Sequence, residues 1–330
     1  MEETALDLMR EYCQDHLDIM HKDSFTIDMM HEVRTVLEIQ FGSVDEASLL
    51  KAIVWLPCGR TSYHCPPMTN VAERIDKIRN KPQPQQRTQE WYEYRHTLLT
   101  ASVAYKALGT DAKIRELLKR KEAPVVIHDH VCTEGPLHWG VKYEHVSIQY
   151  YEYMYQTKVE EFGCVTHDTY SFLGASPDGI NVSEGPLHGR MLEVKNPFTR
   201  EITGIPKEEY WVQCQLQMEV CDLDACDFLE TKFVEYESEE LFRADGSFQR
   251  SQDGKLKGIY LQFFTTKVHY EYAPFQCTEQ EYEEWESRQF DGRTWIATHY
   301  WKLDDVSCVL IRRQPEWFKL VLPKFINIKN

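Results

Sequence analysis

The sequence lacks the features of a membrane protein or a secreted protein. No stretch approaches the roughly 18 consecutive apolar residues of a membrane span, so we expect no membrane partner. The first residues, Met1-Glu2-Glu3-Thr4, are acidic and do not form the apolar core of a signal peptide. The ten cysteines include no Cys-x-x-Cys pair, which favours reduced thiols. These absences predict an intracellular protein.

The chain also lacks an excess of basic residues. Its formal net charge is −16, whereas a protein that coats nucleic acid is usually basic. The acidic balance does not exclude a nuclease, because catalytic carboxylates add negative charge while a local basic groove can still hold phosphates. With 42% apolar residues over 330 positions, the chain can bury a sizeable core.

The hydrophobic patterns predict two regions. Apolar residues recur at helical spacing through most of residues 1–80, and the polar, proline-rich segment 81–86 has the composition of a linker. We therefore predict a mainly helical N-terminal region of unknown role at residues 1–85 and a second domain at residues 86–330. Within that domain three patterns stand out. Residues 226–236 and 256–264 alternate like the two strands of a hairpin. Residues 295–303 have the pattern of an apolar and aromatic helix.

A short corner and the strand that follows it carry the most distinctive residues. Asp178 lies in a Ser-Pro-Asp-Gly turn, and Glu193 and Lys195 lie two apart on a predicted strand. Period-two alternation puts both side chains on one face, so Asp178 and Glu193 can converge on a hard divalent cation, which prefers oxygen ligands. Lys195 can then lie beside the water that the metal activates. This is the layout of a metal-dependent phosphodiesterase, although a β-hairpin with a solvated, charged edge fits the same pattern.

Three flanking segments add candidate residues. Arg95 and Ser102 can share a phosphate, since a guanidinium and a hydroxyl at a helix start both donate to anions. Glu144 follows Gly140 by one helical turn, which leaves room for a metal or substrate beside the carboxylate. Gln213 lies on a predicted helix whose glutamines need hydrogen-bond partners if they are buried. Each of these features also fits an ordinary amphipathic helix or a capped turn.

One dense basic run stands out in this acidic chain. Its lysines and arginines are Lys113, Arg115, Lys119, Arg120 and Lys121. A solvated helix face is the ordinary explanation of such a run. Contact with a DNA backbone is the functional alternative.

Several of these motifs occur in an order that is typical of one family. They are Trp91 with Arg95 and Thr100-Ala101-Ser102, Gly140 with Glu144, Ser176-Pro177-Asp178-Gly179, Leu192-Glu193-Val194-Lys195, and Tyr210 with Gln213 and Gln215. In these residues the chain resembles the phage lambda exonuclease and viral recombinase family of the PD-(D/E)xK nuclease superfamily. The similarity is greatest to the versions encoded by large cytoplasmic DNA viruses. It extends over residues 88–325 and leaves most of the N-terminal region unaccounted for.

The resemblance implies an α/β (α+β) fold with a restriction-endonuclease-like core, in which helices flank a central mixed β-sheet, and an N-terminal helical extension. It implies a metal-dependent 5′→3′ exonuclease that degrades double-stranded DNA from 5′-phosphorylated ends. Such an enzyme serves viral DNA recombination, repair or replication-end processing. Two alternatives stay open: a structure-specific DNA endonuclease of the same fold, and a non-catalytic DNA-binding scaffold.

The family also implies roles for the matching residues at the metal site. The residues that match its metal ligands are Asp178, Glu193, Glu144, Asp168 and, through its backbone carbonyl, Val194. Asp178 and Glu193 belong to the catalytic set as well.

The remaining matches concern the reaction and the chain end. Lys195 matches the catalytic lysine of the family, and Gln213 matches the helix glutamine beside it. Arg95, Ser102 and Ser176 match the pocket that binds the 5′-terminal phosphate. A pocket of this kind fixes the distance from the chain end to the cut, which implies exonuclease rather than endonuclease action.

The cofactor implied by the resemblance is Mg²⁺, with Mn²⁺ as a substitute and one or two ions per site. Some relatives hold an iron–sulfur cluster with four cysteines, three of them clustered near the C-terminus. Here Cys277 and Cys308 are the only cysteines near the C-terminus, and they lie apart, so we predict no iron–sulfur cluster.

The implied partners are double-stranded DNA ends, a single-strand annealing or binding protein, and further copies of the chain in a homo-oligomer such as a trimer. The implied location is the host cytoplasm, in a viral factory, or the virion.

Overall fold

The computed structural model of the chain describes residues 1–16, 24–45, 67–86, 88–125, 135–290 and 292–329, together with residues 48, 49, 52, 53, 56, 60–62 and 65. Within these ranges, no helix is both long enough and apolar enough to cross a membrane.

The N-terminal region is helical in its described parts, as its pattern predicts. The helices are α1 (Glu2–Asp15), α2 (Phe25–Phe41) and α3 (Val71–Arg79). Helices α1 and α2 pack together and bury Met9 and Met29 completely. Apolar burial of this kind, rather than helix propensity alone, stabilises short helices in water.

Helix α3 is tied to the second region by ion pairs. Arg74 Nη1 lies 2.8 Å from Asp224 Oδ2, and Arg79 Nη2 lies 2.6 Å from Glu160 Oε2. These side chains are partly exposed, so each pair contributes little stability by itself. Together they fix the orientation of α3 against the rest of the protein.

The proline-rich segment 81–86 is hydrogen-bonded to the second region. Gln86 Nε2 donates to the carbonyl oxygen of Phe162 at 2.9 Å, and the backbone N–H of Gly163 donates to Gln83 Oε1 at 2.8 Å. The predicted boundary between the two regions therefore falls in a segment that packs against the chain, not in one that hangs free. The division itself stays a prediction.

The remaining helices surround two β-sheets. The helices are α4 (Gln89–His96), α5 (Ala101–Ala107), α6 (Asp111–Glu122), α7 (Pro136–Tyr155), α8 (Glu208–Cys221), α9 (Glu239–Ala244), α10 (Glu279–Glu286) and α11 (Pro315–Lys329). The strands are β1 (Leu99–Thr100), β2 (Val159–Glu160), β3 (Val165–Thr166), β4 (Leu173–Ala175), β5 (Gly179–Asn181), β6 (Met191–Lys195), β7 (Ala225–Tyr236), β8 (Lys257–Phe264), β9 (Val268–Tyr272) and β10 (Thr294–Arg312).

The central sheet is mixed. Its strands follow the order β2-β5-β6-β7-β10-β8-β9, while β1, β4 and β3 form a smaller sheet. Strands β6 and β7 are parallel, whereas the other neighbours in the central sheet are antiparallel. The prediction of an α/β fold with a central mixed sheet flanked by helices is confirmed.

Strand β6 separates a hydrophobic core from a polar site. Leu192 and Val194 pack in a buried cluster with Tyr143 of helix α7. Glu193 faces the opposite side, where it bonds to Gln213 of helix α8. Successive side chains of a strand point to opposite faces, so the predicted alternation along β6 follows directly.

Residues 295–303 form part of a strand, so the predicted helix there is wrong. They belong to β10, which pairs with β7 on one side and with β8 on the other. The segment is rich in aromatic and β-branched residues, which favour a strand once two partners are present. Because β10 lies between β7 and β8, the predicted hairpin of those two strands is wrong as well, although both are strands.

The pairing of β8 with β10 leads to a test of the sheet. Gly258 lies opposite Trp301, and a Cβ at this glycine would lie 2.7 Å from Cε2 of the indole ring. We expect Gly258→Ala to lower the free energy of unfolding by about 1–3 kcal/mol, because the ring has to shift within a packed core. Equilibrium unfolding in urea measures the change.

Gly140→Ala is the matched control for this substitution. A Cβ at Gly140 would meet nothing within 4 Å, and the residue lies inside helix α7. We expect this variant to gain about 0.5–1 kcal/mol, since alanine is the better helix former. Equal losses in the two variants would contradict the described packing of Trp301.

Candidate active site

The Glu193 carboxylate on strand β6 is the centre of the polar site. Its side chain is almost fully buried, with a relative exposure of 1%. Oε1 accepts hydrogen bonds from Lys195 Nζ and from Gln213 Nε2, the latter at 2.6 Å. Oε2 accepts a hydrogen bond from Gln217 Nε2 at 2.6 Å. A buried carboxylate without such donors would be strongly destabilising, so these contacts hold the charge in place.

Helix α8 supplies both amide donors because Gln213 and Gln217 lie one turn apart. Residues four apart lie on the same face of a helix, and this face lies against β6. Gln213 is a predicted site residue, whereas Gln217 is not among the predicted site residues. The spacing of the two glutamines on an otherwise apolar helix was the signal that could have identified Gln217, since buried amides need partners.

Asp178 lies beside Glu193 at the end of the Ser-Pro-Asp-Gly corner. Its Oδ2 accepts a hydrogen bond from the backbone N–H of Val194 at 2.7 Å, which ties the corner to β6. Burial raises the pKa of Asp178 well above its usual range, and the carboxylates of Glu193 and Glu144 add to the rise. The predicted carboxylates Glu193 and Glu144 thus both lie close enough to Asp178 to repel its ionised form.

Lys195 supplies the cation of the site. Burial works against its charge, but the carboxylates of Glu193 and Asp178 raise the pKa of Lys195 above its usual range. Its Nζ also lies over the ring of Tyr210, 5.2 Å from the ring centroid, which adds a cation–π contact. The lysine is therefore held as an ammonium group beside the carboxylates.

The donor set suits a hard divalent cation. Asp178, Glu193 and Glu144 offer carboxylate oxygens, and Val194 offers a backbone carbonyl on the strand between Glu193 and Lys195. A cation among the carboxylates would relieve the repulsion that raises the pKa of Asp178. In the described part of the chain, no three acidic, histidine or cysteine side chains already converge on one point. The residues fit the ion by their chemistry, and the ion would have to draw them together.

Asp168 lies apart from these carboxylates. Its Oδ2 is 2.5 Å from Lys77 Nζ, and its Oδ1 is 2.9 Å from Lys81 Nζ. Hydrogen bonds from Lys77 and Lys81 lower the pKa of Asp168, the opposite of the shift at Asp178. The structure does not bring Asp168 to the predicted metal site. Its carboxylate instead holds the end of helix α3, because both of its lysine partners lie on or just after that helix.

A second cluster joins the predicted phosphate ligands around Arg95. Nη1 of Arg95 donates to Ser176 Oγ at 3.0 Å, and Nη2 donates to Ser102 Oγ at 3.1 Å. The guanidinium carbon lies over the ring of Trp91, 4.3 Å from the ring centroid. Burial lowers the pKa of Arg95, although arginine stays charged in water at all ordinary pH values. The structure thus brings together the three residues predicted for the phosphate pocket.

Ser176 and Gln217 connect the two clusters. Ser176 lies two residues before Asp178, and its hydroxyl is bonded to Arg95. Its backbone carbonyl lies 3.5 Å from Nε2 of Gln217, the same nitrogen that donates to Glu193. The Arg95 cluster and the carboxylates therefore form adjacent halves of one site.

The predicted basic run occupies helix α6, but its members do not share one environment. Lys113, Arg115, Lys119 and Arg120 are exposed, and Nζ of Lys113 lies over the ring of Tyr105, 4.6 Å from the centroid. Lys121 turns inward. Its Nζ donates to main-chain carbonyls at the end of helix α4, including that of His96 at 2.8 Å.

Fold and site together define a mixed α/β protein with a buried Asp…Glu-x-Lys site. More particularly, residues 90–224 match the YqaJ-like viral recombinase domain. The resemblance inferred from the sequence motifs is confirmed there.

The chain is also similar to a viral protein along most of its length. The chain is 30% identical to an uncharacterized protein of Acanthamoeba polyphaga mimivirus, in a match that covers 76% of this chain. It covers 53% of that relative, so the chain spans about half of its length.

The chain is also similar to two solved structures, at low identity. One is the alkaline exonuclease LHK-Exo from Laribacter hongkongensis, with 18% identity and a TM-score of 0.43 over 73% of this chain and 90% of that one. The other is a phage-related exonuclease from Haemophilus somnus, with 14% identity and a TM-score of 0.39 over 72% of this chain and 94% of that one.

The repulsion at Asp178 gives a test of the site that needs no enzymatic assay. Because the folded state raises the pKa of this carboxyl, its ionisation destabilises the fold as the pH rises above about 4, the pKa of an unfolded aspartate. In EDTA at pH 8, we expect the free energy of unfolding of Asp178→Asn to be about 1–2 kcal/mol higher than that of the wild type. The gain should shrink as the pH falls towards about 4 and vanish below it, where the wild-type carboxyl is protonated in both states.

Urea unfolding at several pH values measures this difference. Asp168→Asn is the control with the opposite sign, since its lysine partners stabilise the ionised carboxylate. A stability gain for Asp178→Asn that does not depend on pH would contradict the described repulsion.

Proposed function

We propose that the chain is a metal-dependent exonuclease that degrades double-stranded DNA in the 5′→3′ direction from 5′-phosphorylated ends. The role fits viral DNA recombination, repair or replication-end processing. One observation carries the proposal. The buried Glu193, bonded to Lys195 and two glutamines, lies next to Asp178, and the same corner of the chain connects to the Arg95 cluster. The match to the YqaJ-like viral recombinase domain supports it.

The carboxylates and the lysine have complementary tasks in this proposal. Asp178, Glu193 and Glu144, with the carbonyl of Val194, would hold Mg²⁺ or Mn²⁺, as one ion or two. Such an ion would neutralise charge on the scissile phosphate and make a water molecule more acidic. Lys195 would orient that water for attack on phosphorus and stabilise negative charge as it develops on the phosphate oxygens.

The glutamines keep this arrangement fixed. Each of them donates to a different oxygen of Glu193, so the carboxylate cannot rotate freely. When the ammonium of Lys195 moves towards a substrate, Gln213 and Gln217 still satisfy Glu193. A fixed carboxylate is useful because preorganised groups need no rearrangement during the reaction.

The Arg95 cluster supports action at chain ends. Arg95, Ser102 and Ser176 would bind the 5′-terminal phosphate, with the planar guanidinium donating to its oxygens. Because Ser176 lies two residues from Asp178, the pocket sets a short, fixed distance to the scissile bond. After each cut, the new 5′-phosphate can enter the same pocket. A structure-specific endonuclease needs no such pocket.

The first experiment compares linear and closed circular duplex DNA in Mg²⁺. We expect the wild type to release nucleotides from linear, 5′-phosphorylated DNA and to leave closed circles intact. Glu193→Gln should lower the rate by about a hundredfold or more, because it removes a ligand charge at the metal site. Asp168→Asn is the matched control and should keep the wild-type rate, since its carboxylate lies apart. Cutting of closed circles, or full activity of Glu193→Gln, would contradict the proposal.

The second experiment tests the phosphate pocket with two chemically different ends. We expect Arg95→Ala to lower kcat/KM about tenfold to a hundredfold on 5′-phosphorylated ends and much less on 5′-hydroxyl ends. Arg243→Ala is the control for the loss of a surface charge, because Arg243 on helix α9 forms exposed ion pairs with Glu239 of the same helix and with Glu279 of α10. Equal losses on both ends in Arg95→Ala would remove the phosphate-binding role.

A further inference from the structure

Lys121 anchors the main chain that carries Arg95. Its ammonium donates to the carbonyl oxygens of Arg95 at 3.2 Å, His96 at 2.8 Å and Leu98. These carbonyls lie at the end of helix α4 and in the turn before β1, where carbonyl groups have no partner within the helix. The lysine therefore fixes the last turn of the helix from which the Arg95 side chain extends.

The positive charges near Lys121 favour the binding of an anion. Lys121 and Arg120, on the last turn of α6, both lie close enough to Arg95 to interact with it electrostatically. The described hydrogen-bond partners of Lys121 are neutral carbonyls, and those of the Arg95 guanidinium are two hydroxyls, with an indole ring beside it. The Glu193 carboxylate and the Cys164 thiol also favour the charge of Arg95, while Arg120 opposes it. Like charges gathered around neutral partners repel one another, and a bound anion relieves that repulsion.

The ionic form of the 5′-terminal phosphate explains why one arginine is not enough. A terminal phosphate monoester carries close to two negative charges at neutral pH, whereas each phosphate inside a DNA strand carries one. A pocket with a single arginine does not balance a dianion. The ammonium of Lys121, bonded to the main chain of Arg95 and not to its guanidinium, adds a second positive charge next to the pocket.

We propose that Lys121 is a positioning residue of the 5′-phosphate pocket, which orients Arg95 through the carbonyls of helix α4 and makes the pocket selective for a dianionic terminal phosphate. This inference rests on the proposed function, since it assigns the charge selectivity of the same pocket. It also separates Lys121 from the exposed members of the basic run, which remain available to the solvent.

The protonation of Lys121 agrees with this role. Burial lowers the pKa of Lys121 to about 8, and the charges of Arg120 and Arg95 act in the same direction, while the Cys164 thiol acts weakly against them. A lysine loses its charge as the pH rises through its pKa. The preference for phosphorylated ends should therefore fall between pH 7 and pH 9, a range in which the phosphate itself stays dianionic.

Lys257 provides an unusually close control. Its ammonium also donates to three main-chain carbonyls, those of Phe242, Asp245 and Ser247, and its pKa is lowered by burial as well. It lies at the start of strand β8 and has no described contact with the Arg95 cluster. Lys257→Met and Lys121→Met thus remove the same kind of contact from two different places.

The experiment measures two ratios between 5′-phosphorylated and 5′-hydroxyl duplexes, one of kcat/KM in Mg²⁺ and one of Kd in EDTA. We expect Lys121→Met to reduce both preferences about tenfold, while Lys257→Met leaves them at the wild-type values. The wild-type preference should decline from pH 7 to pH 9, and that of Lys121→Met should be flat. Thermal unfolding of each variant reports whether it is folded.

The outcomes separate this inference from the proposed function. Equal losses on both ends in Lys121→Met, or the same loss of preference in Lys257→Met, would overturn the role of Lys121. If Lys121→Met does not fold, a wild-type preference that stays constant from pH 7 to pH 9 would overturn it. If the wild type does not cleave DNA but its Kd still shows a preference for 5′-phosphorylated ends that depends on Lys121, the proposed nuclease activity is rejected. The proposed role of Lys121 in the phosphate pocket then stands.

Discussion

The burial of one carboxylate constrains the whole site. Glu193 is held on strand β6 with almost no exposure, and a charge in that position must be satisfied by donors. The donors come from its own strand, through Lys195, and from helix α8, through Gln213 and Gln217. The position of α8 against the sheet therefore depends on hydrogen bonding as well as on apolar packing, because two side-chain amides of the helix donate to one buried charge.

The same constraint connects the carboxylates to the proposed phosphate pocket, which sets the distance from the chain end to the cut. Gln217 approaches both Glu193 and the carbonyl of Ser176, while the hydroxyl of Ser176 bonds to Arg95. Helix α4, which carries Arg95, is held in turn by Lys121 from the end of α6. Three helices and one corner thus set the separation between a phosphate-binding pocket and the carboxylates, and rigid secondary structure is what keeps such a distance constant.

Local patterns predicted the parts of the fold and site that depend on short-range chemistry. The alternation of Glu193 with Leu192 and the helix that carries Gln213 both follow from neighbours in sequence. The failures involve distant partners. Residues 295–303 form a strand because β7 and β8 lie on either side of them. Asp168 forms ion pairs with two lysines of the N-terminal region. Lys121 points inward and donates to carbonyls that no local pattern reveals.

The position of the metal is the most direct test of this account. Anomalous diffraction from crystals grown with Mn²⁺ and a 5′-phosphorylated duplex locates the ion and the chain end together. We expect manganese between the carboxylates of Asp178, Glu193 and Glu144, with the terminal phosphate against Arg95 and Ser102. Manganese bound away from Asp178 and Glu193, or a chain end that lies outside the Arg95 cluster, would contradict the account.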